Sequence, residues 1–94
     1  MTTKRELIWH VTGTVIETIY NLGNRDKPYW QIIVEIDGGY VCLYARNDVV
    51  RPIAEGLAVG EKIEASGKVK PHKSLDVAKR PIFLDPVEHL SPID

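Results

Sequence analysis

Residues 29–46, YWQIIVEIDGGYVCLYAR, contain two runs of alternating apolar residues on either side of the break Asp37-Gly38-Gly39. An Asp-Gly or Gly-Gly pair between two such runs is the strongest short-range signal for a β-hairpin, because the favoured tight turns require positive φ angles. This segment therefore predicts two antiparallel strands joined by a sharp turn.

The side-chain period of a strand divides this hairpin into two faces. One face carries Trp30, Ile32, Val34, Ile36, Val41, Leu43 and Ala45. Turning it to water would expose six large apolar side chains, each worth roughly 1.5–3 kcal/mol when buried, so this face must line the core. The outer face then carries Tyr29, Gln31, Ile33, Glu35, Tyr40, Cys42, Tyr44 and Arg46. Three tyrosines and an arginine are unusual on a solvated surface, so the outer face is the candidate site.

The segment before the hairpin predicts one long strand. Residues 7–20 alternate around Gly13, and a glycine inside a strand is typical of a bulge or bend that lets one strand pair with two neighbours. Residues 21–28 are dense in turn formers and predict a loop that carries Arg25 and Lys27.

The segment after the hairpin predicts a short helix and two more strands. Asn47 or Asp48 is placed to cap one or two helical turns over residues 49–57. Residues 61–70 and 82–90 alternate as strands, with Pro86 ending or bulging the last one, and the remaining four residues predict a frayed tail. The proline-bounded segment 71–81 predicts a basic loop.

Five strands with a short helix between the third and the fourth is the layout of an all-β, five-stranded Greek-key barrel, the OB-fold. The segments that carry this layout are VTGTVIET (11–18), YWQIIVEID (29–37), GYVCLYAR (39–46) and RPIAEGLAVGEKIEASGKVK (51–70). Within the last, GEKIEASGKV resembles the pattern G-x-x-[VI]-x-[VA]-x-G-x-[VIL] found where OB domains enter their fourth strand. The chain thus resembles the nucleic-acid-binding OB domains of small bacterial single-stranded DNA-binding proteins, the primosomal replication protein and replication protein A.

The resemblance implies a ligand groove on the face of the second and third strands, flanked by the first-to-second and fourth-to-fifth loops. Single strands need aromatic rings for their bases and cations for their phosphates. Residues 68–80 supply five basic residues against Asp76, a local charge of +4. The candidate nucleic-acid-binding residues are Arg25, Lys27, Tyr29, Tyr40, Tyr44, Arg46, Lys68, Lys70, Lys73, Lys79 and Arg80. The pattern fits single-stranded DNA and RNA equally.

A second hypothesis uses the same face for protein contacts. Ile33 and Cys42 beside Tyr44 form an apolar centre with a polar rim, which is also typical of a protein interface. This predicts a homodimer or a replication or repair protein as partner. Catalysis is not expected, because His10, His72 and His89 lack metal-ligand spacing, and no metal or cofactor is expected either.

Length and composition set the remaining expectations. A chain of 94 residues with 44% hydrophobic content is large enough for one core, so we expect a single domain over 1–94 with its core at about 6–90. A single cysteine excludes an internal disulfide, and the net charge of −1 argues against an indiscriminate nucleic-acid binder. No run approaches the roughly 20 apolar residues of a membrane span, and no signal-peptide pattern is present, so we expect a cytoplasmic protein.

Overall fold

The predicted hairpin is present and forms part of a closed barrel of five strands. The computed structural model describes residues 8–23, 27–70 and 82–93, apart from the side chain of Lys70. In chain order the elements are β1 (Ile8–Asn21), β2 (Tyr29–Ile36), β3 (Gly39–Ala45), α1 (Val50–Glu55), β4 (Lys62–Lys70) and β5 (Ile82–Pro92). The strands follow one another around the barrel in the order β1-β2-β3-β5-β4. The prediction of a five-stranded OB-fold with one short helix between the third and fourth strands is confirmed.

The turn of the hairpin sets the register between β2 and β3, and this register brings their apolar side chains together on one face. Asp37 and Gly38 make the turn, Gly38 has a φ of 87°, and Ile36 pairs with Gly39 directly after it. The inward side chains that this register puts together are fully buried: Ile32, Val34, Val41 and Leu43. The phase predicted from the alternation is therefore correct.

Strand β1 pairs with two neighbours, as predicted, but its irregularity is not at Gly13. Its first half pairs with β4 and its second half with β2, and both ladders meet at Thr14. The register shift lies between Val15 and Glu17. Gly13 instead allows β1 to pass close to β2, because a Cβ there would lie 2.4 Å from the backbone oxygen of Glu35.

Helix α1 is shorter than the predicted segment 49–57, with six residues. Of the two residues predicted to cap the helix, Asn47 does so. Its Oδ1 accepts hydrogen bonds from the backbone N–H groups of Val49 and Val50, both at 2.8 Å. Pro52 is the third helical residue, where an N–H would have no partner within the helix, so it is tolerated. Buried Val50 and Ala54 attach the helix to the barrel core.

Strand β5 continues past Pro86 rather than ending there. The ladder between β4 and β5 is irregular on both sides of Gly67, and a Cβ at Gly67 would lie 2.7 Å from the backbone oxygen of Pro86. The prediction of a bulge is therefore correct, and that of a frayed tail is wrong through residue 93, because Ile93 N–H donates to the oxygen of Lys62 at 2.8 Å. Within the described ranges, no helix is long and apolar enough to cross a membrane.

Candidate functional site

Three aromatic rings from three strands meet on the outer face of the barrel. The rings of Tyr29 on β2 and Tyr44 on β3 are stacked, with centroids 5.8 Å apart and planes at 22°. Phe83 on β5 meets Tyr44 edge-on at 5.9 Å. This meeting follows from the pairing, because Gln31 faces Tyr44 across the hairpin and Cys42 lies beside Phe83 in the parallel ladder of β3 and β5. We call Tyr29, Tyr44 and Phe83 the aromatic platform.

Arg46 lies over the platform and is held there by a carboxylate. Its Cζ is 4.4 Å from the ring centroid of Tyr29 and 5.1 Å from that of Tyr44. Its Nε and Nη2 donate to the two carboxylate oxygens of Asp85 at 2.6 and 3.2 Å. The hydrogen bond to Asp85 raises the pKa of Arg46 above its ordinary value. The platform thus carries a fixed positive charge with a planar guanidinium against its rings.

A chain of hydrogen bonds orients Tyr44. Asn21 Nδ2 donates to Gln31 Oε1 at 2.9 Å, and Gln31 Nε2 donates to the hydroxyl oxygen of Tyr44 at 3.0 Å. Burial raises the pKa of Tyr44, which keeps the phenol neutral. Tyr44 also forms a hydrogen bond with Cys42, so two neighbouring side chains fix its hydroxyl group.

Cys42 does not form the exposed apolar centre that the alternation predicted. Its side chain is only 4% exposed although it points to the outer face. The neighbouring side chains cover it, and Gln31 Nε2 lies 4.0 Å from its Sγ. Burial raises the pKa of the Cys42 thiol to about 11, so the group is a neutral packing residue at physiological pH.

The structure brings four of the predicted site residues together at one end of the hairpin. Lys27, Tyr29 and Arg46 line one cleft, and Tyr44 adjoins it through its contacts with Tyr29 and Arg46. Tyr40 is not part of this group. It pairs with Glu35 near the turn, about 13 Å from Tyr44 at 3.3 Å per strand residue.

Of the remaining predicted residues, two lie on β4 and four lie outside the described part of the chain. Lys68 lies on β4, opposite Ile8 of β1. The backbone of Lys70 pairs with Phe83, next to the platform. Arg25, Lys73, Lys79 and Arg80 lie outside the described residues, so their part in the site stays a prediction.

Sequence reasoning missed Phe83, Asp85 and Arg51. Phe83 and Asp85 alternate with inward Leu84, and this pattern places both on the outer face of β5. Arg51 of α1 lines a second cleft with Lys27 and Arg46; its Nη2 donates to Asp48 and its Nη1 to the oxygen of Pro28 at 3.4 Å. We call Lys27, Arg46 and Arg51 the cationic cleft. No group of three His, Cys, Asp or Glu side chains among the described residues is arranged to hold a metal ion.

The closed barrel, its strand order and its helix define an OB-fold domain. No protein-family model and no curated protein matches the sequence. The structure is similar to the crystal structure of a small single-stranded DNA-binding protein from Streptomyces coelicolor, with a TM-score of 0.69 and 14% sequence identity over 97% of this chain and 95% of the other. The two proteins therefore share the whole barrel, with few residues in common.

Proposed function

We propose that this chain binds single-stranded nucleic acid without catalysis and without strong sequence preference. The observation that carries the proposal is the aromatic platform with Arg46 against its rings, on the face that OB-folds use for ligands. Bases of any sequence stack on aromatic rings because every base has a π-face. The likeness to a protein named for single-stranded DNA binding supports the same function.

The roles of the basic residues differ in this proposal. Asp85 uses two of the five N–H donors of Arg46, so Arg46 mainly holds the rings and presents a base-stacking plane. Lys27 is exposed at the edge of the platform and contacts phosphate. The phosphate path continues with the remaining predicted residues, which are Arg25, Lys68, Lys70, Lys73, Lys79 and Arg80.

The affinity should be modest and sensitive to salt. Each phosphate contact on a single strand contributes about −0.7 to the slope of log affinity against log salt. With three to five contacts the slope is roughly −2 to −4. A chain with a net charge of −1 has little nonspecific attraction to add, so duplex DNA of equal length should bind much more weakly.

The test is fluorescence anisotropy of a labelled oligothymidine, titrated with the protein at low and at moderate salt. We expect saturable binding that weakens with salt, and a large loss in the double variant Tyr29→Ala, Tyr44→Ala. A matched control is Val59→Ala, an exposed apolar residue away from the platform. Absence of binding at low salt would overturn the proposal.

The second candidate is a protein-interaction or oligomerisation domain that uses the same face, with a second copy or a replication or repair protein as partner. Half-buried Ile33 beside the aromatic platform favours it, whereas the burial of Cys42 removes part of the apolar centre that it needs. Sedimentation with and without an oligonucleotide separates the two. A tight dimer that ignores the oligonucleotide supports the second candidate, and a monomer that shifts on adding it supports the first.

A further inference from the structure

A second aromatic cleft lies at the rim of the barrel, outside the aromatic platform. Tyr20 and Trp30 face each other across β1 and β2, with ring centroids 5.1 Å apart and planes at 57°. Tyr20 is 51% exposed, and Trp30 is partly buried against the core. Pro28 and Pro52 complete the walls of this cleft. We call it the rim cleft.

The rim cleft is continuous with the candidate site through the cationic cleft. Lys27 and Arg46 line both the cleft beside Tyr29 and the cationic cleft. Pro28 and Arg51 line both the cationic cleft and the rim cleft. Because Tyr29 and Trp30 are consecutive in β2, their rings point to opposite sides of the strand. A ligand that follows these clefts therefore passes from one aromatic site to the other around the start of β2.

The charges along this path suit a phosphate backbone. Asp48 is the partner of Arg51, and its side chain is 90% exposed. An exposed ion pair contributes little, so a phosphate can replace Asp48 at small cost. Arg51 Nε is buried and has no acceptor among the described residues, so the present partners leave this guanidinium incompletely satisfied. Glu55 also lines the rim cleft, and its carboxylate would repel a phosphate placed beside it.

We propose that the strand stacked on the platform continues across the cationic cleft and stacks a further base on Tyr20 and Trp30. This subsite rests on the proposed function and extends it by one binding element. An aromatic groove with prolines nearby also suits a proline-rich peptide. The cations that lead into the rim cleft favour the nucleic-acid strand, so the peptide is an outcome of the test.

The experiment uses Trp30 as reporter in a Trp9→Phe background, because the chain has only two tryptophans. Labelled oligothymidines of about 4 and about 12 nucleotides, within the range of site sizes of single OB-folds, are titrated while anisotropy and tryptophan emission are recorded. We expect both to raise the anisotropy and only the longer one to quench Trp30. Tyr20→Ala should reduce the affinity for the longer oligothymidine roughly 5- to 150-fold, the effect of losing one stacked base.

Three further variants separate stacking from other effects and need no change at Trp9. Tyr20→Phe keeps the ring and should bind the longer oligothymidine as the wild type does. Val59→Ala removes an exposed apolar group elsewhere and should have no effect. Asp48→Asn removes the competing carboxylate and should strengthen binding of the longer oligothymidine more than that of the shorter.

The outcomes distinguish this subsite from the proposed function. If both oligothymidines bind, Trp30 emission stays constant and Tyr20→Ala binds like the wild type, the subsite is wrong and the function stands. If a proline-rich peptide quenches Trp30 and the longer oligothymidine does not, the rim cleft is a peptide site and the proposal is overturned. If neither oligothymidine changes the anisotropy, the proposed function fails and the subsite fails with it.

Discussion

Arg46, directly after β3, and Asp85 of β5 join two of the three strands that carry the aromatic platform, across 39 residues of chain. The side chain of Asp85 is 8% exposed and that of Arg46 is 43% exposed, so Asp85 is the buried partner and Arg46 the one that solvent reaches. A bidentate pair of this kind fixes both position and plane of the guanidinium. The same contact that orients Arg46 over Tyr29 and Tyr44 also reduces its availability to a phosphate.

The first prediction follows from this competition. Asp85→Asn keeps the shape of the side chain but removes the charge that occupies Arg46. Arg46 then becomes available to phosphate, and the slope of log affinity against log salt should steepen by about 0.7, the value of one added contact on a single strand. The measurement is oligothymidine anisotropy over a series of salt concentrations.

Lys27→Gln is the matched control for this change. Lys27 lies at the edge of the same cleft, and its loss should make the slope shallower by about 0.7. If Asp85→Asn leaves the slope unchanged while Lys27→Gln reduces it, Asp85 does not compete with phosphate for Arg46, and the proposed competition is incorrect.

The second prediction concerns the stacked tyrosines. Tyr29→Ala and Tyr44→Ala should each weaken oligothymidine binding by about 1–3 kcal/mol per stacked base lost. Tyr44→Phe keeps the ring and removes the hydroxyl that bonds Gln31 and Cys42, so the loss of oligothymidine binding should stay within about 1 kcal/mol. Tyr40→Ala should have a smaller effect than either platform variant, because Tyr40 lies apart from the platform and opposite Glu35. Equal losses at Tyr40 and Tyr44 would contradict the division of the face into a platform and an outlying tyrosine.

The barrel and the phase of its hairpin were predictable because they depend on local pattern. Alternation over residues 29–46 leaves one phase that avoids exposing large apolar side chains. The order of five strands and one helix was then enough to identify the fold. The contact of Arg46 with Asp85 was not predictable in the same way, because it depends on the register of β3 against β5. That register is set by long-range packing and not by either segment alone.

The exposure of single residues on the outer face also could not be predicted from the sequence. Alternation assigns Tyr40, Cys42 and Tyr44 to one face, and they do lie there. Cys42 is nevertheless buried, since side chains from neighbouring strands extend over it. Tyr40 is exposed among the residues that the structure describes. The period of two predicts direction, whereas burial depends on the size of the side chains on adjacent strands.

The third prediction concerns stability at high pH. Burial raises the pKa of Cys42 from 9.0 to about 11, so the unfolded chain releases the thiol proton first as the pH rises. The stabilisation from the neutral thiol is fully present below about pH 9 and is lost between about 9 and 11. The free energy of unfolding, measured with urea across this interval, should therefore fall more steeply in the wild type than in Cys42→Ala.

The comparison with Cys42→Ala isolates the thiol, because every other ionisable side chain is present in both proteins. The variant should be less stable at neutral pH, since it loses a buried sulfur. The difference between the two proteins should shrink as the pH rises. Two parallel stability curves would show that the thiol ionises equally in the folded and unfolded chains.

The fourth prediction tests the point at which β1 passes from β4 to β2. A Cβ at Gly13 would lie 2.4 Å from the backbone oxygen of Glu35 and 2.5 Å from Cγ1 of Val34. Neither atom can move freely, because one belongs to the paired backbone of β2 and the other to a fully buried side chain. Gly13→Ala should therefore lower the free energy of unfolding by roughly 1–3 kcal/mol, the usual effect of overpacking. Urea unfolding measures this as a lower midpoint with an unchanged slope.

Gly39→Ala is the control for this variant, since a Cβ there meets nothing within 4 Å. Its effect should stay within about 0.5 kcal/mol, as for an ordinary surface substitution. Both variants remove a glycine from a strand, so a change in backbone freedom alone would affect them similarly. A clear difference between them would assign the cost at Gly13 to the contact between β1 and β2. Equal stabilities would mean that β1 crosses β2 with room for a side chain, and that the close approach does not determine how the barrel closes.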